Sequence, residues 1–175
     1  VAYFRVAYEC AFVFPLLARR LFTVLLPEAS AMTTTGELSA YRRRAIVLYP
    51  ALLVLVGLAV LIGPWLLTVL FGDLYASSAP VLRVLLIAFG LHTIFNPLTV
   101  ILYAIHRHVL VPMVHVIHLP ILCVLNYWLI PIYDGLGAAI AGLAIRIFGV
   151  AAMLVLTQRA ISKFHNDAPI DREPT

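Results

Sequence analysis

The sequence predicts an all-α integral membrane protein with five transmembrane helices, and three observations carry that prediction. Of its 175 residues, 63% are hydrophobic and only 11% are charged, and the mean hydropathy is +1.04. A soluble domain of this length cannot bury so much apolar surface, and about a quarter of its residues would be charged. The apolar residues also come in blocks long enough to cross roughly 30 Å of hydrocarbon, which takes about 20 helical residues. Short polar breaks rich in Pro, Gly and charge separate those blocks.

The expected spans are residues 2–26, 45–70, 80–105, 109–130 and 136–158. The first is interrupted by Arg5, Glu9, Arg19 and Arg20; the other four are almost free of charge. Between them lie a polar loop, PEASAMTTTGELSAYRRR (27–44), a turn, FGDLYASSAP (71–80), and two tight connections, HRH (106–108) and PIYDG (131–135). Residues 1–160 thus form the transmembrane part, and 161–175, ending HNDAPIDREPT, read as a polar cytoplasmic tail without order. The chain opens with Val1 inside a hydrophobic segment and shows no basic stretch followed by a cleavage site. The expectation is the C-terminal portion of a longer protein.

Charge location gives the orientation. Arg42, Arg43 and Arg44 lie in the 27–44 loop, Arg107 in the 106–108 connection, and Arg159 and Lys163 beside the tail, whereas the turns at 71–80 and 131–135 carry no Lys or Arg. Cationic loops stay cytoplasmic, so five spans and a cytoplasmic C-terminus follow, with Arg83 the mild exception. The net charge of +4 is therefore a topology signal and not a footprint for nucleic acid. Cys10 and Cys123 both sit in apolar runs and suggest no disulfide framework.

The polar residues inside the spans carry the functional question. IHRHVLVPMVHVIHLP (105–120) holds four of the six histidines, His106, His108, His115 and His118. At about 100° per residue, His108, His115 and Asn126 fall within roughly 20° of one another and His118 about 60° away. A zinc site wants three or four ligands converging on one point. These histidines spread over more than two turns with no Asp or Glu between them, so no metal and no cofactor are expected. Two readings stay open: hydrogen bonds to neighbouring helices, or one wall of a water-filled cavity. The third span repeats the pattern through His92, Asn96 and Thr99, with Pro97 freeing a carbonyl. In the first, Arg5 and Glu9 are spaced to pair, while Arg20 is placed to snorkel toward headgroups.

Arg146 lies mid-way along LGAAIAGLAIRIFGVAAMLVL (136–156), too deep to snorkel easily. A central Arg costs about 2.5–3.5 kcal/mol on insertion, against a gain of about 0.3–0.6 for each Leu, Ile, Phe or Val. It should face an acidic partner or an anion-attracting cavity. Gly135, Gly137, Ala138, Ala139, Ala141 and Gly142 give the start of this span a small-residue face suited to close packing.

Two stretches carry a family likeness. FGDLYASSAPVLRVLLIA (71–88), through Phe71, Gly72, Tyr75, Ala79, Leu82 and Arg83, resembles a turn and helix of the polysaccharide-type flippases. LNYWLIPIYDGLGAAIAG (125–142), through Leu125, Asn126, Ile130, Pro131, Gly137, Ala138 and Ala139, resembles the same family's penultimate-to-last helix junction. LFTVLLPEAS with Gly36 and the arginine run is similar to its preceding cytoplasmic loop. Asp134 departs from the pattern, since many relatives have glycine there. The superfamily is the multidrug/oligosaccharidyl-lipid/polysaccharide exporters. The resemblance implies the C-terminal part of a two-lobed bundle of about 12–14 helices, without enzymatic activity, that flips lipid-linked oligosaccharide across the cytoplasmic membrane by alternating access. Its partners would be membrane lipids, the lipid-linked glycan and the transporter's N-terminal helices. A diphosphate head needs cationic, hydrogen-bonding walls, and the residues available to supply them are Arg5, His92, Asn96, His115, His118, Asn126 and Arg146.

Three rivals remain. A drug antiporter of the same superfamily would favour acidic residues in the spans, where only Glu9 occurs. A membrane transferase would need paired carboxylates or a nucleophile beside a base, and Asp73 and Asp134 stand alone in turns. A structural or truncated, non-functional fragment is the third.

Overall fold

A computed structural model describes residues 2–30, 35–104 and 109–167. Among them every regular element is a helix: α1 (Ala2–Ala11), α2 (Val13–Ser30), α3 (Thr35–Phe71), a 3₁₀ turn (Asp73–Ser78), α4 (Ala79–Ala104) and α5 (Leu110–Asp167). Three stretches are long and apolar enough to cross a membrane, Val47–Phe71, Asp73–Asn96 and Leu110–Arg159. The α1–α2 pair, with its five charged residues, is not among them.

α1 and α2 form one rod broken at Phe12, and Pro15 explains the break. Proline has no N–H for the carbonyl four residues back, and its ring collides with that group, here on Ala11. The Phe12 N–H is accordingly shared between the carbonyls of Tyr8 (2.9 Å) and Glu9 (3.3 Å). α4 is the central helix and packs against every other helix. Its Leu82, Leu85, Leu86 and Phe89 meet Ala7, Ala11 and Phe14 of the α1–α2 rod, Leu67 of α3 and Ala139 of α5 in one core. The buried Thr93 hydroxyl lies 3.0 Å from the Phe14 carbonyl and 2.9 Å from that of Phe89, so it can donate to either and fastens α4 to α2.

α3 and α4 run antiparallel about the 3₁₀ turn, which Gly72 enters at φ 86. Their approach is close at two glycines. A Cβ on Gly63 would lie 2.9 Å from Leu86 Cδ1, and one on Gly90 only 2.5 and 2.7 Å from the two Val56 methyls. Gly57, in contrast, faces open space. Alanine at either position gains up to about 1 kcal/mol of helix propensity, but at 90 it must also displace a β-branched side chain at about 1–3 kcal/mol. Thermal unfolding in detergent should therefore show Gly57→Ala neutral or stabilised and Gly90→Ala destabilised. Equal shifts would refute the tight crossing.

α5 spans 58 residues and is not straight. Asp134 has φ 49 and ψ −130, and beyond it the chain folds back, so that α5 has a first arm (110–133) and a second (135–167). His118 of the first arm stands against Gly149 of the second, 5.7 Å ring to ring from Phe148. Val111 clusters with Met153, and a Cβ on Gly137 would meet the Leu129 carbonyl. These pairs are centred on Asp134, as an antiparallel hairpin requires.

The bundle has two distinct ends. At one, Tyr3 packs on Tyr75 at 5.5 Å, and Gly135 lies against Phe4. At the other, Phe22 packs on Tyr103 at 5.5 Å, and Leu102 meets Val111 and Met153. The expected element boundaries shift in three places. Much of the 27–44 loop is helical, through Ser30 and again from Thr35, while 31–34 lie outside the described residues. The tail is helical through Asp167, because the last helix continues past its apolar stretch, which ends at Arg159; 168–175 lie outside the described residues. PIYDG is a tight connection as expected, but helix runs up to it on both sides, so that the turn narrows to Asp134. His106, Arg107 and His108 lie outside the described residues.

Candidate functional site

A cavity of about 530 Å³ opens between the α1–α2 break, α4 and both arms of α5. The Pro15 break brings Tyr8, Phe12 and Pro15 to one wall; α4 supplies Phe89, His92, Phe95 and Thr99. The first arm of α5 contributes His115 and His118, and the second contributes Gly142, Arg146 and Gly149.

Arg146 is held by its own helix. Side chains on a helix point toward its N-terminus, so the guanidinium lies back over the preceding turn and Nη1 donates to the Gly142 carbonyl at 2.8 Å. Gly142 makes this possible, since a Cβ there would lie 3.1 Å from Nη1. Cζ stands 4.3 Å from the centre of the Phe89 ring, a cation–π contact from the opposite wall. Among the described residues no carboxylate lines the cavity. Of the guanidinium's five N–H donors, the rest have no protein partner among the described residues. The expected choice between an acidic partner and a cavity falls, within those residues, on the cavity.

His115 and His118 are one turn apart, with ring centres 5.6 Å apart. His115 Nδ1 lies 2.8 Å from the Val111 carbonyl. A carbonyl only accepts, so Nδ1 carries the hydrogen and Nε2 of the neutral ring keeps a free lone pair. His118 Nε2 is buried without a hydrogen-bond partner. Its ring fits because position 149 is glycine: a Cβ there would come 2.7 Å from His118 Cε1 and 3.1 Å from Nε2. Among the described residues no group of three or more His, Cys, Asp or Glu is arranged to hold a metal ion.

The structure thus brings together four of the seven expected residues, His92, His115, His118 and Arg146. The other three lie off the cavity. Arg5 is exposed on α1, a turn closer to the end where Phe4 meets Gly135, and no ion pair joins it to Glu9. Asn96 is half-buried with Oδ1 unpartnered. Asn96 is not among the α4 residues that line the cavity, which are Phe89, His92, Phe95 and Thr99. Asn126 is also half-buried with an unpartnered Oδ1. It lies about 12 Å beyond His118 at 1.5 Å per residue, near where the arms pinch together at Leu129 and Gly137.

Sequence reasoning missed the aromatic side of the site, Tyr8, Phe12 and Phe89, and the purpose of Gly142 and Gly149. The signals were helical spacings: Phe89 is three residues before His92, and the two glycines lie four before and three after Arg146. No family model, curated protein or solved structure matches this chain.

Proposed function

We propose that this chain is part of a multi-pass transporter that moves lipid-linked oligosaccharide or polysaccharide precursors across the cytoplasmic membrane by alternating access. One observation carries the reading: a guanidinium and three imidazoles line a single cavity, among aromatic and aliphatic walls and without a carboxylate. Such a site favours an anionic head with an apolar attachment. Guanidinium binds phosphate oxygens through directed N–H donors, neutral imidazoles both donate and accept, and aromatic faces suit sugar rings. The same lining disfavours the drug-antiporter alternative, because a cationic substrate would meet Arg146 with no counter-charge beside it.

In this reading each arm of α5 crosses the bilayer, the α1–α2 rod supplies a further, kinked span, and helices outside this chain complete the passage. The end bearing Tyr75 and Asp134 faces outward, and the Arg-rich end and C-terminus face the cytoplasm. With Cys10 and Cys123 replaced, Tyr75→Cys should react with a membrane-impermeant maleimide added outside, and Arg43→Cys only after permeabilisation. The reverse pattern would overturn the topology.

The substrate reading is tested with a photoactivatable prenyl-diphosphate probe and the purified chain. Crosslinks should fall on residues 89–99, 115–122 and 142–153 and disappear with excess unlabelled polyprenyl diphosphate. Labels confined to the outer face of α3 would reject a head-binding cavity and leave only lipid contact.

A further inference from the structure

We infer that protonation of the cavity histidines sets how tightly this site holds an anion, so that the cavity binds strongly at low pH and weakly at high pH. The inference deepens the proposed function and rests on its claim that the cavity takes an anionic head.

The titratable and charged groups facing the cavity can be named element by element. α1 presents Tyr8, α4 presents His92, the first arm of α5 presents His115 and His118, and the second arm presents Arg146. α2 contributes only Pro15, and α3 contributes no lining residue. Arginine is the fixed charge here, and histidine is the side chain whose ordinary charge change falls between pH 5 and 8, so the imidazoles are the groups that can change the charge of this cavity. Among the described residues no carboxylate lies there to neutralise them. The site can therefore range from one positive charge to several.

Geometry says which atoms receive the protons. His115 Nδ1 is committed to the Val111 carbonyl at 2.8 Å, so its added proton goes to Nε2, which has no hydrogen-bond partner in the protein among the described residues. His118 Nε2 is buried and unpartnered, and its ring is 5.6 Å from that of His115. In an empty cavity two imidazolium rings at this distance would repel each other and the Arg146 guanidinium. A bound anion reverses the balance, because each new N–H⁺ then has a negative acceptor. Anion binding and proton uptake are thus linked, and each favours the other.

The test uses the purified chain in detergent micelles and inorganic sulfate, whose charge stays at −2 across the range, so that any pH dependence belongs to the protein. Calorimetric titration at pH 5.5 and pH 8, in buffers of different ionisation enthalpy, reads affinity and protons taken up together. If binding raises an imidazole's pKa by about one unit, affinity rises about tenfold for each ring that charges. Tighter sulfate binding at pH 5.5, with net proton uptake, supports the inference. The triple variant His92→Gln, His115→Gln, His118→Gln should flatten the pH profile; should it not fold, ¹⁵N-histidine NMR of the unaltered chain reads ring protonation directly as sulfate is added. Sulfate binding that is lost in Arg146→Ala but equal at both pH values overturns the inference and leaves the anion cavity standing. No sulfate binding at either pH overturns both.

Discussion

Arg146→Ala is expected to abolish anion binding in the cavity while leaving the chain at least as well inserted in the membrane. The two effects have opposite signs, and that separates a binding role from a structural one. Truncating one member of a desolvated, hydrogen-bonded charge pair costs about 2–5 kcal/mol, at least about thirtyfold in affinity for a prenyl-diphosphate probe. Insertion changes the other way, because a central Arg opposes it by about 2.5–3.5 kcal/mol. If Arg146 instead served packing through Phe89 and the Gly142 carbonyl, the alanine variant would unfold earlier and bind normally once folded. Arg146→Lys sharpens the comparison. It keeps the charge but loses the planar fork that stacks on Phe89 and holds two oxygens at once, so it should recover only part of the affinity. Full recovery would reduce Arg146 to a point charge.

How much of this was readable beforehand divides along a physical line. The apolar helices were legible because a hydrocarbon solvent demands long unbroken apolar runs, and those at 47–71 and 110–159 announce themselves. Arg146 was legible as a candidate for the same reason, since its cost is set by depth alone. What one helix cannot reveal is which of its polar residues meet those of another. His92, His115, His118 and Arg146 converge because α4 is central and because α5 doubles back. Asn126 shares the angular position of His115 yet does not line the cavity, since it lies further along the arm, toward the pinch at Leu129 and Gly137. Gly135 and Gly137 do stand in close packing, against Phe4 and the Leu129 carbonyl, but two other glycines serve the cavity. Gly142 was taken for close helix packing, but it gives room to a guanidinium, and Gly149 gives room to an imidazole.

The doubling back depends on Asp134, and Asp134→Gly is expected to stabilise the chain. At φ 49 and ψ −130 it is the one non-glycine among the described residues with positive φ, in a region where a Cβ crowds the backbone. Holding a residue there costs on the order of 1–3 kcal/mol. Glycine removes that cost but loses more conformational freedom on folding, by about 0.5–1 kcal/mol, so a net gain of about 0.5–2 kcal/mol remains. For a chain of this length that raises the unfolding midpoint by roughly 1–8 °C. Asp134→Val should lower it, because branching at Cβ worsens the same collision. Asp134→Asn should change little, since its short side chain resembles aspartate. The prediction has a clear rival. If the carboxylate is held there to fix the outer turn at a membrane surface, glycine would lower the midpoint and asparagine would follow it part of the way. The order of the three variants therefore decides whether the backbone or the carboxylate sets the stability of this turn, with the cavity, which begins at Leu122 about 18 Å along the first arm at 1.5 Å per residue, as an internal control. Sulfate affinity should be the same in all three.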